Sequence, residues 1–440
     1  MLARITTAFV VVIALVSAGA GTARASADPP AYLPPIPPVP PGVDTPSPPA
    51  APPQVRVEEL PRSTPGPFPP AAVSQPATAE CSPPPGPPCG PPDDIWFSAE
   101  YLGYTFRPAP LHTPLASVTD AVGTRVVLGN TDVKLGWSSG LALAAGTWLD
   151  DRHTVGARVN AFTTGRQAAE TGVVAGPDQT LTRPFTDALT GDPAQFFVSA
   201  PGFLAGSFRA ASTARLAGVD ARAIWNQVHS RDLTIDLFAG VRYLDLDETL
   251  TLTQATRGVG DGVVLLNGVT YGGGTVLTVT DRFRTRNQFF GGEAGGRVEW
   301  RRGPGFAALA PSVGFGPVRQ SVYAAGSSSV PGVELPGGLY AVTGGNAGRD
   351  VTTRFAVMTD LRAEVGVFLT GTCRLAVGYD FLYLGSVARP GDQIDTVVNT
   401  RLVPTTRRFG SLSGVASPLP TADRTDFYAQ GLTVGLEFRY

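Results

Sequence analysis

The sequence lacks the long apolar runs that mark helical membrane proteins. Outside its first residues, no run approaches the roughly 20 apolar residues that a membrane helix needs. Charged residues make up only 16% of the chain, whereas glycine accounts for 52 of the 440 residues. A helical membrane protein is therefore excluded, and the length suits either two or three soluble domains or one large barrel.

Basic clusters and metal-ligand spacings are also missing. The net charge of −2 and the absence of a basic patch give no reason to expect a nucleic-acid partner. The three histidines are His112, His153 and His229, and none is spaced from another histidine or a cysteine as zinc ligands are. Asp392 and Asp395, with Asp380, suggest calcium, but turn aspartates more often accept hydrogen bonds from nearby backbone amides. We predict no metal and no cofactor.

The first residues have the pattern of an export signal. Arg4 gives a positive start, Ile5 to Ala20 form a short apolar region, and the small residues up to Ala27 offer cleavage sites. The apolar region is too short, and followed too soon by proline, to serve well as an anchor. We therefore predict a cleaved signal peptide over residues 1–27.

Residues 28–94 have a different composition, with 26 of the 42 prolines. Such a stretch forms extended polyproline II rather than helix or sheet, so we predict a disordered periplasmic linker. An arm that binds the cell wall or another partner is the alternative. Cys81 and Cys89 bracket SPPPGPP in a loop that a disulfide could close, since export permits disulfides.

From Ile95 onward, apolar residues alternate with small or charged ones, as in β-strands. In the last strand Leu432, Val434 and Leu436 lie on one face, and Gly435 and Glu437 on the other. The predicted segments are 95–106, 138–149, 153–163, 208–228, 232–255, 276–301, 305–324, 351–369, 373–386 and 424–440.

The connections between these segments alternate strictly between long and short. Four short turns, near residues 150, 230, 303 and 371, separate five long loops. A transmembrane barrel with both termini in the periplasm has this pattern, with long loops outside the cell. We therefore predict an all-β, antiparallel, up-and-down barrel over residues 95–440 in the outer membrane, with about 10 strands and 12 as the nearest alternative. Several segments exceed the roughly 9–11 residues that cross a bilayer, so either strands protrude or segments are merged.

Charged residues of both signs fall on the face opposite the apolar one, and we predict that they line the lumen. They are Glu100, Arg158, Asp220, Arg222, Asp236, Arg242, Glu293, Arg297, Asp360, Arg362, Glu364, Arg374, Asp380, Glu437 and Arg439. Isolated buried charges cost several kcal/mol, so these residues need water or opposite partners. In a wide barrel they would line a wet pore, and in a narrow one they would pair and plug it. Fully paired charges would favour a plug, and segregated signs a conducting path.

The chain ends on an apolar strand closed by Phe438 and Tyr440. An aromatic end of this kind looks like the signal that outer-membrane assembly machinery reads. The predicted partners are therefore this machinery and the lipid of the outer membrane.

The stretch GYDFLYLGSVARPGDQID joins an apolar strand to the turn of Arg389, Pro390, Gly391, Asp392 and Asp395. Proline would preset the first central torsion and Gly391 would take the positive φ of the second. We predict that Arg389 and Asp392 fold this last loop back onto the barrel.

Together with GGLYAVTGGNAGRDV from Gly337 and WFSAEYLGY from Trp96, this stretch resembles the planctomycete outer-membrane beta-barrel porin family (beta barrel porin seven). The resemblance covers residues 95–440 and implies an outer-membrane barrel acting as a porin. It implies no catalytic or binding residue.

Two functions follow from these patterns. The favoured one is passive passage of small hydrophilic solutes or ions, and the alternative is a closed structural or surface-interaction barrel that acts through its long extracellular loops. An enzyme is not predicted. Ten-stranded outer-membrane proteases use acidic residues and a histidine at the extracellular rim, but only His112 would lie there, and no acidic residue precedes it at close spacing.

Overall fold

The computed structural model describes residues 94–176, 178–411, 414–421 and 423–440. In this part of the chain, no helix has the length and hydropathy of a membrane span. The predicted signal peptide, nearly all of the predicted linker, and Cys81 with Cys89 lie outside the described residues.

Nineteen strands and one turn of 3-10 helix occur in the described residues. The strands are β1 (Ile95–Phe106), β2 (Ala116–Asp120), β3 (Gly123–Leu128), β4 (Trp137–Trp148), β5 (Val155–Thr164), β6 (Gln167–Val174), β7 (Thr180–Asp187), β8 (Pro193–Ser199), β9 (Leu204–His229), β10 (Leu233–Gly258), β11 (Val264–Leu266), β12 (Val269–Tyr271), β13 (Val276–Arg302), β14 (Gly305–Val330), β15 (Val333–Pro336), β16 (Gly348–Phe368), β17 (Cys373–Val387), β18 (Val397–Val398) and β19 (Thr425–Arg439). The 3-10 turn covers Pro390–Gln393.

Ten of these strands close into a ring. Each pairs antiparallel with the next, in the order β1, β4, β5, β9, β10, β13, β14, β16, β17 and β19, and β19 pairs back onto β1. The short strands β6 and β15 add only to the rim, on β9 and β14. The structure thus confirms the predicted all-β up-and-down barrel, with ten strands in the ring rather than twelve.

The outer wall of the barrel is apolar, because alternate side chains of each strand point outward. Leu309 is 48% exposed, Val365 60% and Leu432 53%, and these residues belong to three different strands. A continuous band of exposed apolar side chains is what an outer-membrane barrel presents to lipid.

The ring strands differ greatly in length. Strands β1 and β4 have 12 residues, close to what a bilayer crossing requires, whereas β9, β10, β13 and β14 have 26 or 27. The extra length continues at the end where the long loops lie, which is the extracellular end by the usual sorting of loops. The predicted long segments are therefore single strands that protrude from the membrane.

The protruding strands carry a second sheet on their inner face. Strands β18, β7, β2 and β3 lie side by side, with β8 on β7, and we call this sheet the cap. The sequence predicts only loops here, because the cap strands are short and interrupted by polar residues. In the structure Leu115, Leu181 and Val198 of this region pack against Leu252 and Phe283 of the tall strands. Burial of that apolar surface holds the cap in place.

Candidate functional site in the barrel lumen and its extracellular cap

The periplasmic half of the lumen is filled by ion pairs. Arg374 donates to Glu299 at 2.8 Å and to Glu437 at 2.7 Å. Arg297 donates to the same Glu299 at 3.0 Å and to Glu364 at 2.9 Å. Each arginine thus joins carboxylates from two strands, which ties opposite parts of the wall together.

Nearer the middle of the membrane, two arginines share a carboxylate. Arg222 donates to Glu293 at 2.5 Å and lies 2.8 Å from Asp220. Arg242 donates to Asp360 at 2.5 Å and contacts Glu293 at 3.4 Å. Buried charges of this kind are tolerated because each has a partner of opposite sign.

A third group surrounds Arg362. Its guanidinium contacts Glu100 and Glu364 and lies 3.7 Å from Asp380. Tyr104 donates its hydroxyl to Asp380 at 2.7 Å. Glu364 belongs both to this group and to that of Arg297, so these two groups form one connected network.

Of the residues predicted to line the lumen, all but Arg158 and Asp236 take part in ion pairs. Asp236 accepts a hydrogen bond from Asn226 at 2.6 Å, and Arg158 pairs with no carboxylate of the described residues. Sequence reasoning missed Glu299 and Arg301, which form a 2.7 Å pair. Both continue the odd-numbered inward face of Glu293 and Arg297, so the strand alternation itself was a sufficient signal.

A small cavity remains between these pairs. Its volume is about 110 Å³, and Arg158, Asn160, Asp236 and Ser312 are among its lining residues. A site of this size and polarity can hold a few water molecules. The centre of the lumen therefore has room for water but is narrow.

An apolar layer lies on the extracellular side of the charges. Along a strand, the inward side chains change from charged to apolar at the next inward position, two residues on. Asp380 is followed by Leu382 and Leu384, and Arg242 by Leu244 and Leu246. These leucines pack into one cluster with Phe289 and other buried side chains of the ring. Close packing of this kind leaves few voids larger than a water molecule, so the layer separates the central cavity from the extracellular side.

Above this layer, Arg389 anchors the last loop. Its guanidinium donates to Glu248 of β10 at 2.6 Å and to the carbonyl oxygen of Pro108 at 2.9 Å. It also lies over the ring of Phe427, 5.6 Å from the centroid. One side chain thereby fastens the last loop to a tall strand and to the first loop. Nothing local in the sequence indicated Glu248 as its partner.

Gly391 does not take the positive φ that the sequence predicts. The loop forms a 3-10 turn instead, and the glycine is needed because an added Cβ would lie 1.6 Å from the carbonyl oxygen of Pro110. Close approach of two backbones, rather than a left-handed torsion, explains this residue.

The two aspartates of the loop motif have different surroundings. Asp395 accepts from the backbone amides of Val397 at 2.9 Å and Leu419 at 2.8 Å, so it holds the loop together. Asp392 lies 3.9 Å from the imidazole of His112, which is itself 3.7 Å from Asp132. Burial raises the pKa of Asp392. The distances around His112 exceed hydrogen-bond length.

A second buried arginine fastens the cap. Arg183 of β7 donates to Asp281 of β13 at 2.6 Å, and both side chains are fully buried. Its guanidinium lies between the rings of Phe208 and Tyr340, at 4.7 and 4.5 Å from their centroids. Asp281 also accepts from the backbone amide of Tyr340 at 2.8 Å. Burial raises the pKa of Tyr340 to about 12.

The two residues of the predicted assembly signal lie at the seam of the ring. Phe438 faces outward opposite Phe97, and Tyr440 exchanges backbone hydrogen bonds with Ile95 at 2.9 and 3.0 Å. The side chain of Tyr440 is exposed.

A closed ten-stranded ring with an apolar outer wall and a charged interior defines a transmembrane β-barrel. The chain matches the family described as putative beta barrel porin-7 over residues 108–440, and it belongs to that family. The match confirms the resemblance seen in the sequence, and it locates the protein in the outer membrane. No curated protein is significantly similar to the chain.

Among solved structures, similar chains are outer-membrane barrels of very different sequence. The outer membrane protease OmpT of Escherichia coli is 11% identical, over 79% of this chain and 97% of its own, with a TM-score of 0.38. The transport unit of the autotransporter AIDA-I of Escherichia coli is 8% identical, over 79% and 90%, with a TM-score of 0.24. The toluene transporter TodX of P. putida is 10% identical, over 80% and 91%, with a TM-score of 0.17. These scores are too low to carry an argument about function.

Proposed function

We propose that this protein is a closed outer-membrane barrel that displays a rigid cap at the cell surface, and that the cap is its functional surface. The observation that carries this proposal is the apolar layer of the lumen. Leu244, Leu246 and Phe289 are completely buried within it, so a hydrated solute would have to displace packed side chains to pass. A barrel of ten strands also has little free interior, because side chains already fill the interior of a barrel with eight strands.

The ion pairs support the same conclusion. Arg374, Arg297 and Arg362 alternate with the carboxylates that they contact, and the signs are not segregated along the lumen. In a conducting path selective for ions of one charge, side chains of the opposite charge would instead be unpaired and able to contact the ion. Pairing of this kind stiffens the wall and fills the interior.

The cap has the properties of a displayed surface. Two buried ion pairs hold this region to the tall strands: Arg183 with Asp281 fastens the cap itself, and Arg389 with Glu248 fastens the last loop, which carries β18 of the cap. Its edge strand β3 is exposed over most of its length, and Val122 in the adjoining turn is 95% exposed. A preorganised surface loses little entropy when it binds a partner. The proposal includes no catalytic step.

Passive passage of small hydrophilic solutes or ions is the second candidate. Membership of a porin family favours it, and so does the cavity of about 110 Å³ between the charged groups, whose wall includes Arg158, which pairs with no carboxylate of the described residues. Passage would then require the apolar layer to open, so the barrel would be a gated pore.

Planar-bilayer recording of the full-length protein separates the two candidates. We expect no steady unitary conductance from preparations whose folding is verified by heat-dependent mobility on gels. Regular unitary steps from the unmodified protein would overturn the closed barrel and favour the pore.

Labelling of intact cells tests the display of the cap. In a background with Cys81, Cys89 and Cys373 replaced by serine, a Val122→Cys variant should react with a membrane-impermeant maleimide, whereas a Gly371→Cys variant on a short turn should react only after the cells are lysed. The reverse pattern would place the cap in the periplasm and refute the proposed role.

A further inference from the structure

The lipid-facing surface of the tall strands ends at a sharp boundary. On the outer wall Tyr243 lies opposite Phe290, and Pro317 lies opposite Phe355. Phe290 is 59% exposed and Phe355 69%. Aromatic residues in such a row mark the edge of the hydrocarbon region in membrane barrels.

Arginines occupy the outer wall immediately above this row. One outward position further toward the cap, Arg319 lies opposite Gln288 and Thr353. In the next row Ser321 lies between Arg286 and Val351, and in the row above it Tyr323 lies between Arg284 and Arg349. Each outward step along a strand rises by less than about 7 Å, so the row of Arg319 lies just above the aromatic row, at the level of lipid headgroups, and the row of Arg349 lies two steps higher.

Three of the arginines surround Ser321. Arg349 donates from its Nε to the Ser321 hydroxyl at 2.9 Å, and Arg286 is the cross-strand neighbour of Ser321 on β13. Arg319 precedes Ser321 by two residues on the same face of β14. Neighbours of this kind have Cβ atoms about 5 to 8 Å apart, so three guanidinium groups can reach a common ligand.

The positive charge of this group is only partly compensated. Arg286 forms a two-bond pair with Asp245, at 2.8 and 2.6 Å. Within the described part of the chain, neither Arg319 nor Arg349 pairs with a carboxylate. Both are exposed, so two guanidinium groups remain available at the boundary between lipid and water.

We propose that Arg319 and Arg349, with Ser321 between them and Arg286 beside it, bind the phosphate group of an outer-leaflet lipid. Guanidinium groups bind phosphate oxygens through pairs of charge-assisted hydrogen bonds. A lipid is the source of the phosphate rather than free phosphate, because Phe290 and Phe355 lie directly below and continue into the apolar wall where acyl chains pack. The site is independent of whether the lumen conducts.

Native mass spectrometry of the full-length protein in a maltoside detergent tests the proposal, with dioleoyl phosphatidic acid as the probe and dioleoylglycerol as its phosphate-free counterpart. We expect phosphatidic acid to bind and dioleoylglycerol to bind much more weakly. The Arg319→Gln, Arg349→Gln double variant should bind phosphatidic acid about tenfold more weakly, because it loses the charged donors.

The matched control is the Arg257→Gln, Arg302→Gln double variant, which removes the same charge from exposed positions elsewhere on the barrel. It should bind phosphatidic acid as the unmodified protein does. Equal binding by both double variants would show that the Ser321 region is not the site. Displacement of the lipid by millimolar inorganic phosphate would show that the site takes a free anion, and would overturn the assignment to a lipid.

Discussion

Arg389 and Glu248 are 141 residues apart in the sequence, and their side chains meet at 2.6 Å with exposures of 0% and 1%. The pair joins the last extracellular loop to β10 just above the apolar layer of the lumen. Its position explains how a loop of more than thirty residues can be held over the mouth of a narrow barrel.

Breaking this pair from one side should loosen the last loop. In an Arg389→Leu variant the buried Glu248 loses its partner, which costs about 3–5 kcal/mol. We expect rapid proteolysis within residues 395–420 while the barrel stays folded. An Arg389→Leu, Glu248→Leu double variant should recover most of the loss, because no charge is then left unpaired. Arg407→Leu, at an exposed position, is the control. Equal protease resistance in all four proteins would show that the pair does not hold the loop.

A methyl group at Gly391 should displace the last loop from the first. The added Cβ would lie 1.6 Å from the Pro110 carbonyl oxygen, so we expect Gly391→Ala to lower the unfolding free energy by about 1–3 kcal/mol. Gly371→Ala meets no atom within 4 Å and should be neutral. Urea unfolding in detergent measures both. If the two variants were equally stable, the close approach of the two backbones would not explain why position 391 is a glycine.

Alkaline pH should weaken the attachment of the cap through Tyr340. Its pKa is about 12 in the folded protein and about 10 when unfolded. The stabilisation is fully present below pH 10 and is lost as the pH rises toward 12, because the unfolded chain releases this proton first. The full effect is about 2–3 kcal/mol.

Thermal unfolding of the unmodified protein and of Tyr340→Phe between pH 8 and pH 12 measures this effect. Phenylalanine removes the titrating group and the 2.8 Å hydrogen bond to the Pro184 carbonyl oxygen, so the variant should be less stable at pH 8 and lose less above pH 10. If the stabilities of the two proteins fell in parallel as the pH rises, the loss of stability at alkaline pH would come from other groups.

Truncation of the apolar layer should open the lumen. We expect a Leu246→Ala, Phe289→Ala variant to conduct small ions in planar bilayers, because the space created would connect the central cavity with the extracellular side. The matched control is Val241→Ala, Phe315→Ala, which shortens outward side chains of β10 and β14. If the truncated variant folded but gave no conductance, the charge network would also close the lumen.

Much of the barrel could be predicted from the sequence. The alternation around Leu432 and Val434, and the four short turns, give the strands, their outward faces and a number of about ten, with twelve as the alternative. Such features are local, since a strand's two faces depend only on residues two apart. Glu299 and Arg301 follow the same rule, so their inward positions could have been predicted from it.

The cap and its anchors could not be predicted in the same way. Strands β2, β7 and β18 are short. Their pairing with one another, β2 with β7 and β7 with β18, joins distant parts of the chain, so it depends on the surface that the tall strands offer. Gly391 was assigned to a turn with positive φ, while its actual constraint comes from Pro110, about 280 residues away. Contacts of this kind leave no periodic signal.

The sequence by itself determined an outer-membrane barrel of about ten strands, with twelve as the alternative, an apolar exterior and charges of both signs inside, because these depend on the two-residue period of strands and on loop length. Only the tertiary structure decided that Arg374, Arg297 and Arg362 are paired, that an apolar layer fills the lumen above them, and that Arg389 and Arg183 fasten a cap. Each of these depends on which side chains meet across a closed ring, and closure brings together residues whose separation in the chain carries no information about their distance.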